Sequence, residues 1–154
     1  MGKQTARRTG ASPSEGALEF MRVLWALDHA LRSRSKRMRS HLGVTGPQRL
    51  VIRLVGRTPG IAAGELAETL HVHPSTLTGV LERLVRRRLL LRKSDAKDGR
   101  RSVFYLSERG RTLDKIRSGT VEAGVLRALS SLDARSVAAA REVLETVVNE
   151  IERD

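Results

Sequence analysis

The chain has 154 residues, of which 40% are hydrophobic but only 3% aromatic, so it can bury the core of one ordinary domain. It has little from which to build a ring-walled cofactor pocket or a base-stacking platform, and with no cysteine it can form no disulfide, thiolate metal site or catalytic thiol. The net charge of +12 is unevenly spread, +9 over residues 1–57, +4 over 58–110 and −1 over 111–154, which points to a polyanionic partner for the first two thirds only.

Residues 1–14 are polar and basic without apolar period and are expected to form a flexible arm, leaving 15–154 as a single domain. The arm and the apolar stretch Ala17–Leu27 do not make an export signal, because Glu19 and Arg22 interrupt the stretch and no small-residue cleavage site follows. No other run approaches a bilayer span, so a soluble cytoplasmic protein without membrane contact is expected. Phe20, Leu24, Leu27, Leu31, Met38 and Leu42 recur at helical spacing and predict a long first helix over about 15–42, with Arg32, Arg34, Lys36, Arg37 and Arg39 on its other faces. That basic cluster reads as a solvated face or as a secondary phosphate contact. Gly43, Gly46 and Pro47 end this helix and start a second through Leu50–Val55, which Gly56, Pro59 and Gly60 stop in turn.

The segment from Gly64 to Leu84 carries the functional reading. Pro74 cannot sit inside a helix without breaking it, so one helix runs from about Ala62 to Leu70 and another starts at Pro74, with His73 as an imperfect cap. Leu66, Ala67 and Leu70 on the first and Leu77, Val80, Leu81 and Leu84 on the second form one apolar cluster if the helices cross steeply, as in a helix-turn-helix. At 100° per residue, Ser75, Gly79, Glu82 and Arg86 lie opposite the core stripe of Leu77, Leu81, Leu84 and Arg88, flanked by Thr76, Thr78 and Arg83. Small hydroxyls and a glycine in the first turn allow close approach to base edges, while the later arginines reach guanine or phosphate. Glu82 reads as an ion-pair partner for Arg86 one turn on.

Leu89–Lys93 and Ser102–Leu106 predict a β-hairpin around Asp98-Gly99, whose tip offers Lys97, Arg100 and Arg101 to an adjacent minor groove. Asp98 would repel phosphate and is expected to hold an arginine of its own loop. Ser107 caps a long helix over about 108–129, and Ser131 or Asp133 caps a last one. Together with the first helix these leave apolar stripes that need a partner, and a two-fold homodimer supplies it. No catalytic constellation is present, GVTGP and TPGIAAG lack the lysine of a nucleotide loop, and His71 and His73 in a short turn have no third ligand. Neither an enzyme nor a cofactor or metal protein is expected.

The second helix with Gln48, the segment GELAETLHVHPSTLTGVLERLVRRRLLLR (64–92) and the wing DAKDGRRSVFYLSERG (95–110) resemble the MarR family of bacterial transcriptional regulators. The resemblance implies a mainly α winged helix-turn-helix over about 47–107, with dimerisation helices at about 15–42 and 108–153. It also implies a homodimer on a pseudo-palindromic operator in double-stranded DNA, acting as a repressor relieved by a small aromatic or anionic effector. Carried over by residue, it places Ser75, Thr76, Thr78 and Gly79 in the major groove, Arg83 and Arg86 on bases or backbone, and Arg100 in the minor groove with Asp98 as support. Arg101 is a second wing candidate, and Trp25, His29 and Arg49 are candidates for an effector pocket. Arg88 stands where the family usually has glycine, which makes a left-handed cap there costly. The alternative to a regulator is an architectural DNA-binding protein with little sequence preference.

Overall fold

Local caps and chain breakers set the element boundaries in the computed structural model, which describes residues 13–153. The order is α1 (Pro13–Leu42), α2 (Gly46–Arg57), β1 (Ile61–Ala62), α3 (Ala63–Leu70), α4 (Pro74–Arg86), β2 (Leu90–Ser94), β3 (Ser102–Leu106), α5 (Glu108–Lys115), α6 (Val121–Leu129) and α7 (Ala134–Ile151). Residues 1–12, where most of the expected arm falls, lie outside the described residues; Pro13 and Ser14 belong to α1 instead. The Thr45 hydroxyl accepts from the Gln48 amide at 3.4 Å while the Gln48 side chain accepts from the Thr45 amide at 3.1 Å, a reciprocal cap that fixes the start of α2.

The fold is mainly α with a three-stranded antiparallel sheet in the order β1-β3-β2. Its core is Val51, Ile52 and Val55 of α2, Leu66 of α3, Leu77, Leu81 and Leu84 of α4, and Leu90 and Phe104 of the sheet. The hairpin register sets Leu90 opposite Leu106 and Ser94 opposite Ser102. Strand β1 was not anticipated: Ala62, expected to begin the third helix, pairs with Val103, and Ile61 before it pairs with Phe104. Two residues are too few for a period to show.

The single helix expected over 108–129 is two. Ile116 is extended, Gly119 has φ of +75°, and the buried Thr120 hydroxyl caps α6 by accepting from the Ala123 amide at 3.2 Å. The break is held from α2. Arg49 donates to the carbonyls of Leu113, Asp114 and Ile116, and its Nε lies 2.7 Å from Glu122 Oε1. A guanidinium thus satisfies carbonyls that a continuing helix would have used. The Asp133 carboxylate caps α7 and is held below its usual range, first by the Ser136 hydroxyl and then by the Ser136 amide. That contribution is present at neutral pH and is lost as pH falls through the lowered value.

Arg88 adopts φ of +56° just after α4, with its amide on Val85 O and the Leu89 amide on Leu84 O, so the glycine-type cap is kept without glycine. The side chain is exposed and stands outside the core stripe in which the helical wheel placed it. Arg88→Gly is therefore expected to stabilise the fold by about 1 kcal/mol, seen as a higher urea midpoint at unchanged slope. A lower midpoint would show that the side chain contributes more than its backbone strain costs.

Candidate nucleic-acid interface

Helix α4 is anchored through Leu77, Leu81 and Leu84, each at most 3% exposed, against Leu66 and Ala67 of α3. This fixes which side faces outward. Ser75, Thr76, Thr78, Arg83 and Arg86 are exposed and Gly79 is partly so. A Cβ added at Gly79 would have only the Arg83 guanidinium within 4 Å, at 3.9 Å, so the middle of this face is open.

The hydroxyls are not equivalent. Ser75 Oγ lies 2.7 Å from His73 Nδ1, which also accepts from the Ser75 amide at 3.3 Å, so His73 is the cap expected from the sequence. Thr78 donates to Pro74 O at 2.9 Å, leaving its oxygen as an acceptor. Thr76 keeps both donor and acceptor capacity, since no partner engages its hydroxyl among the described residues. Arg83 and Arg86 also make no ion pair there, and Glu82 does not pair with Arg86 as expected. Both guanidiniums are left without a carboxylate partner among the described residues.

The wing loop is built by two aspartates. Asp95 accepts from the Lys97 amide at 2.9 Å and Asp98 from the Arg100 amide at 3.1 Å, while the Arg101 amide donates to Asp98 O. Asp98 therefore holds Arg100 by its backbone and not, as expected, by its guanidinium, which stays exposed. Arg101 turns back toward α3, with Nη2 3.7 Å from Glu65 Oε1, and is the weaker of the two wing candidates. On the strands, Arg92 donates to Ser102 Oγ at 2.8 Å and Lys93 Nζ sits 5.1 Å from the Tyr105 ring centre.

The effector candidates do not come together. Trp25, 64% exposed, and His29 stand on the open side of α1, whereas Arg49 is 1% exposed and committed to the α5–α6 break. Arg49 is a structural residue. A further contact went unseen in the sequence: Arg87 donates to Gly43 O and so ties the end of α4 to the α1–α2 turn. One arginine among three in succession gives no sign of its partner.

Residues 42–101 match the model of the MarR family. The HTH-type transcriptional repressor Rv2887 of Mycobacterium tuberculosis is 30% identical over 73% of this chain and 81% of its own. Among solved structures, the transcription regulator MarR from Oenococcus oeni superposes with a TM-score of 0.75 at 21% identity, over 84% of this chain and 98% of its own. The S. aureus MepR–DNA complex gives 0.70 at 17%, over 86% and 98%. The chain belongs to the MarR family of transcriptional regulators, with the winged-helix fold of those structures. No described helix is long and apolar enough to cross a membrane.

Proposed function

We propose that the protein is a sequence-specific repressor that binds a pseudo-palindromic operator as a homodimer and releases it on binding a small aromatic or anionic effector. The observation that carries this reading is the pairing of an open, small-residue first turn on α4 with the guanidiniums of Arg83, Arg86 and Arg100, none of which is held in an ion pair among the described residues. Ser75, Thr76, Thr78 and Gly79 read base edges, Arg83 and Arg86 contact guanine or backbone, and the wing places Arg100 in the flanking minor groove. The relative named a repressor supports the sign of regulation. Homodimerisation rests on apolar faces left uncovered in the single chain: Leu18, Met21 and Trp25 on α1, Leu126 on α6, and Leu144 and Val148 on α7.

Incubating the protein with fragmented genomic DNA and a ~10³-fold excess of random duplex tests the specificity, because a regulator should retain discrete fragments where an architectural protein retains none. Arg100→Ala is expected to weaken operator binding and to flatten the dependence of log K on log salt by about one unit. Unchanged affinity and slope would remove the wing from the interface. Leu144→Glu with Val148→Glu should give a monomer by sedimentation with operator affinity lost; a persisting dimer would place the seam elsewhere.

A further inference from the structure

The side-chain oxygens of Ser75, Thr78 and Glu82 on the outward side of α4 can only accept. An amide always donates, so His73 Nδ1, which accepts from the Ser75 amide at 3.3 Å, carries no hydrogen. Ser75 Oγ lies 2.7 Å from the same nitrogen and must give it its own hydrogen, since two bare lone pairs would repel at that distance. Three residues on, Thr78 gives its hydrogen to Pro74 O at 2.9 Å. Four further on, the Glu82 carboxylate is exposed and has no ion-pair partner among the described residues. Spacings of three and four residues put Ser75, Thr78 and Glu82 in one stripe, beside Gly79 and its open surroundings. Thr76 lies off this stripe and keeps its hydrogen.

Such a stripe has a restricted choice of partner. Phosphate oxygens, guanine N7 and O6 and thymine O4 are all acceptors, so none of them can bond to it. The donors in the major groove are the amino groups of adenine and cytosine. Each base pair carries one of these on one strand or the other. An acceptor at a fixed place therefore separates adenine or cytosine from guanine or thymine, without separating adenine from cytosine. We propose that Ser75, Thr78 and Glu82 select amino-bearing bases at three places in each half-site, and that His73 is the positioning residue that makes Ser75 an acceptor. This rests on the reading of α4 as the major-groove helix and adds which bases it chooses. Glu82 becomes a base contact in place of the expected ion-pair partner of Arg86. A carboxylate is repelled by a keto oxygen, so the Glu82 position should be the strictest of the three. Phosphate contacts fall to the guanidiniums of Arg83 and Arg86, which have only donors to offer.

Site selection from random duplexes at about pH 8, where an ordinary imidazole is neutral, tests this in the full-length protein. The wild type is expected to recover half-sites with three positions that take adenine or cytosine almost interchangeably and exclude guanine and thymine. Ser75→Ala, Thr78→Val and Glu82→Gln should each relax one of these positions and weaken binding to the selected site by about five- to tenfold, with affinity for random duplex not reduced. His73→Ala should relax the Ser75 position alone, and His73→Asn, whose amide oxygen can take the same hydrogen, should restore it. Replacing the selected base at that position by its analogue without the amino group, purine for adenine or pyrimidinone for cytosine, should weaken the wild type about fivefold and Ser75→Ala not at all. Guanine or thymine at the three positions, or a base pattern that the three variants leave unaltered, would overturn the stripe while leaving a sequence-specific regulator. Weakening of all sequences alike in His73→Ala, at an unaltered pattern, would make His73 a helix cap alone and overturn its positioning role. Recovery of no motif by the wild type would overturn the regulator reading and this proposal together.

Discussion

Replacing Arg49 by methionine is expected to cost about 3–5 kcal/mol, the largest loss from any single change at the contact of α2 with the α5–α6 connector. The guanidinium is 1% exposed and joins α2 to Leu113, Asp114, Ile116 and Glu122. Methionine fills much of the space but removes the strongest donor from three carbonyls and a half-buried carboxylate, leaving them only the weaker reach of the Ile116 amide, Arg53 and Arg117, and each under-satisfied buried acceptor costs about 1–3 kcal/mol. The neighbouring Arg53–Asp114 pair, at 2.8 Å, is more open to water. Arg53→Met should therefore cost under about 1 kcal/mol. Urea unfolding of the two variants checks the ordering. Equal, small losses would mean that the α5–α6 break is fixed by Gly119 and Thr120 alone.

Gly110→Ala should be nearly as damaging, by about 3 kcal/mol or more. A Cβ on Gly110 would stand 2.1 Å from the carbonyl oxygen of Leu89, a backbone atom that cannot swing aside. The same spot is crossed by the Ser107 hydroxyl, which donates toward Arg88 O and Leu89 O while accepting from the Gly110 amide at 2.9 Å. The first turn of α5 is thus pressed onto the chain just after α4, and only a residue without a side chain permits it. Either the start of α5 or the exit from α4 must move, so operator binding should fall together with thermal stability. Wild-type melting in the alanine variant would contradict the close approach.

The DNA-binding half was legible because its boundaries are local. Pro74 stops one helix and starts the next wherever it occurs, Asp98-Gly99 turns the chain, and the period of Leu77, Leu81 and Leu84 orients the helix without knowledge of its neighbours. Ser75, Thr76, Gly79 and Arg86 consequently lie on the outward face expected of them. What was missed depends on distant partners. Arg49 is 73 residues from Glu122 in sequence, and nothing in the pattern of α2 distinguishes a buried arginine from a solvated one. The break at Ile116–Thr120 followed from that contact and from a single glycine, which a helix tolerates at about 1 kcal/mol. Arg88 shows the reverse case, where tertiary packing of Leu84 and Leu89 keeps a cap that local preference disfavours.

The outward face of α4 is proposed to choose a base sequence. Selection of bound sites from a pool of random duplexes measures this directly. Enrichment is expected of an inverted repeat whose half-sites are centred about one helical turn, or a multiple of it, apart, as two α4 helices of a symmetric dimer require. Recovery of a pool with no shared motif, at undiminished affinity, would contradict it and leave a basic protein that holds DNA without reading it.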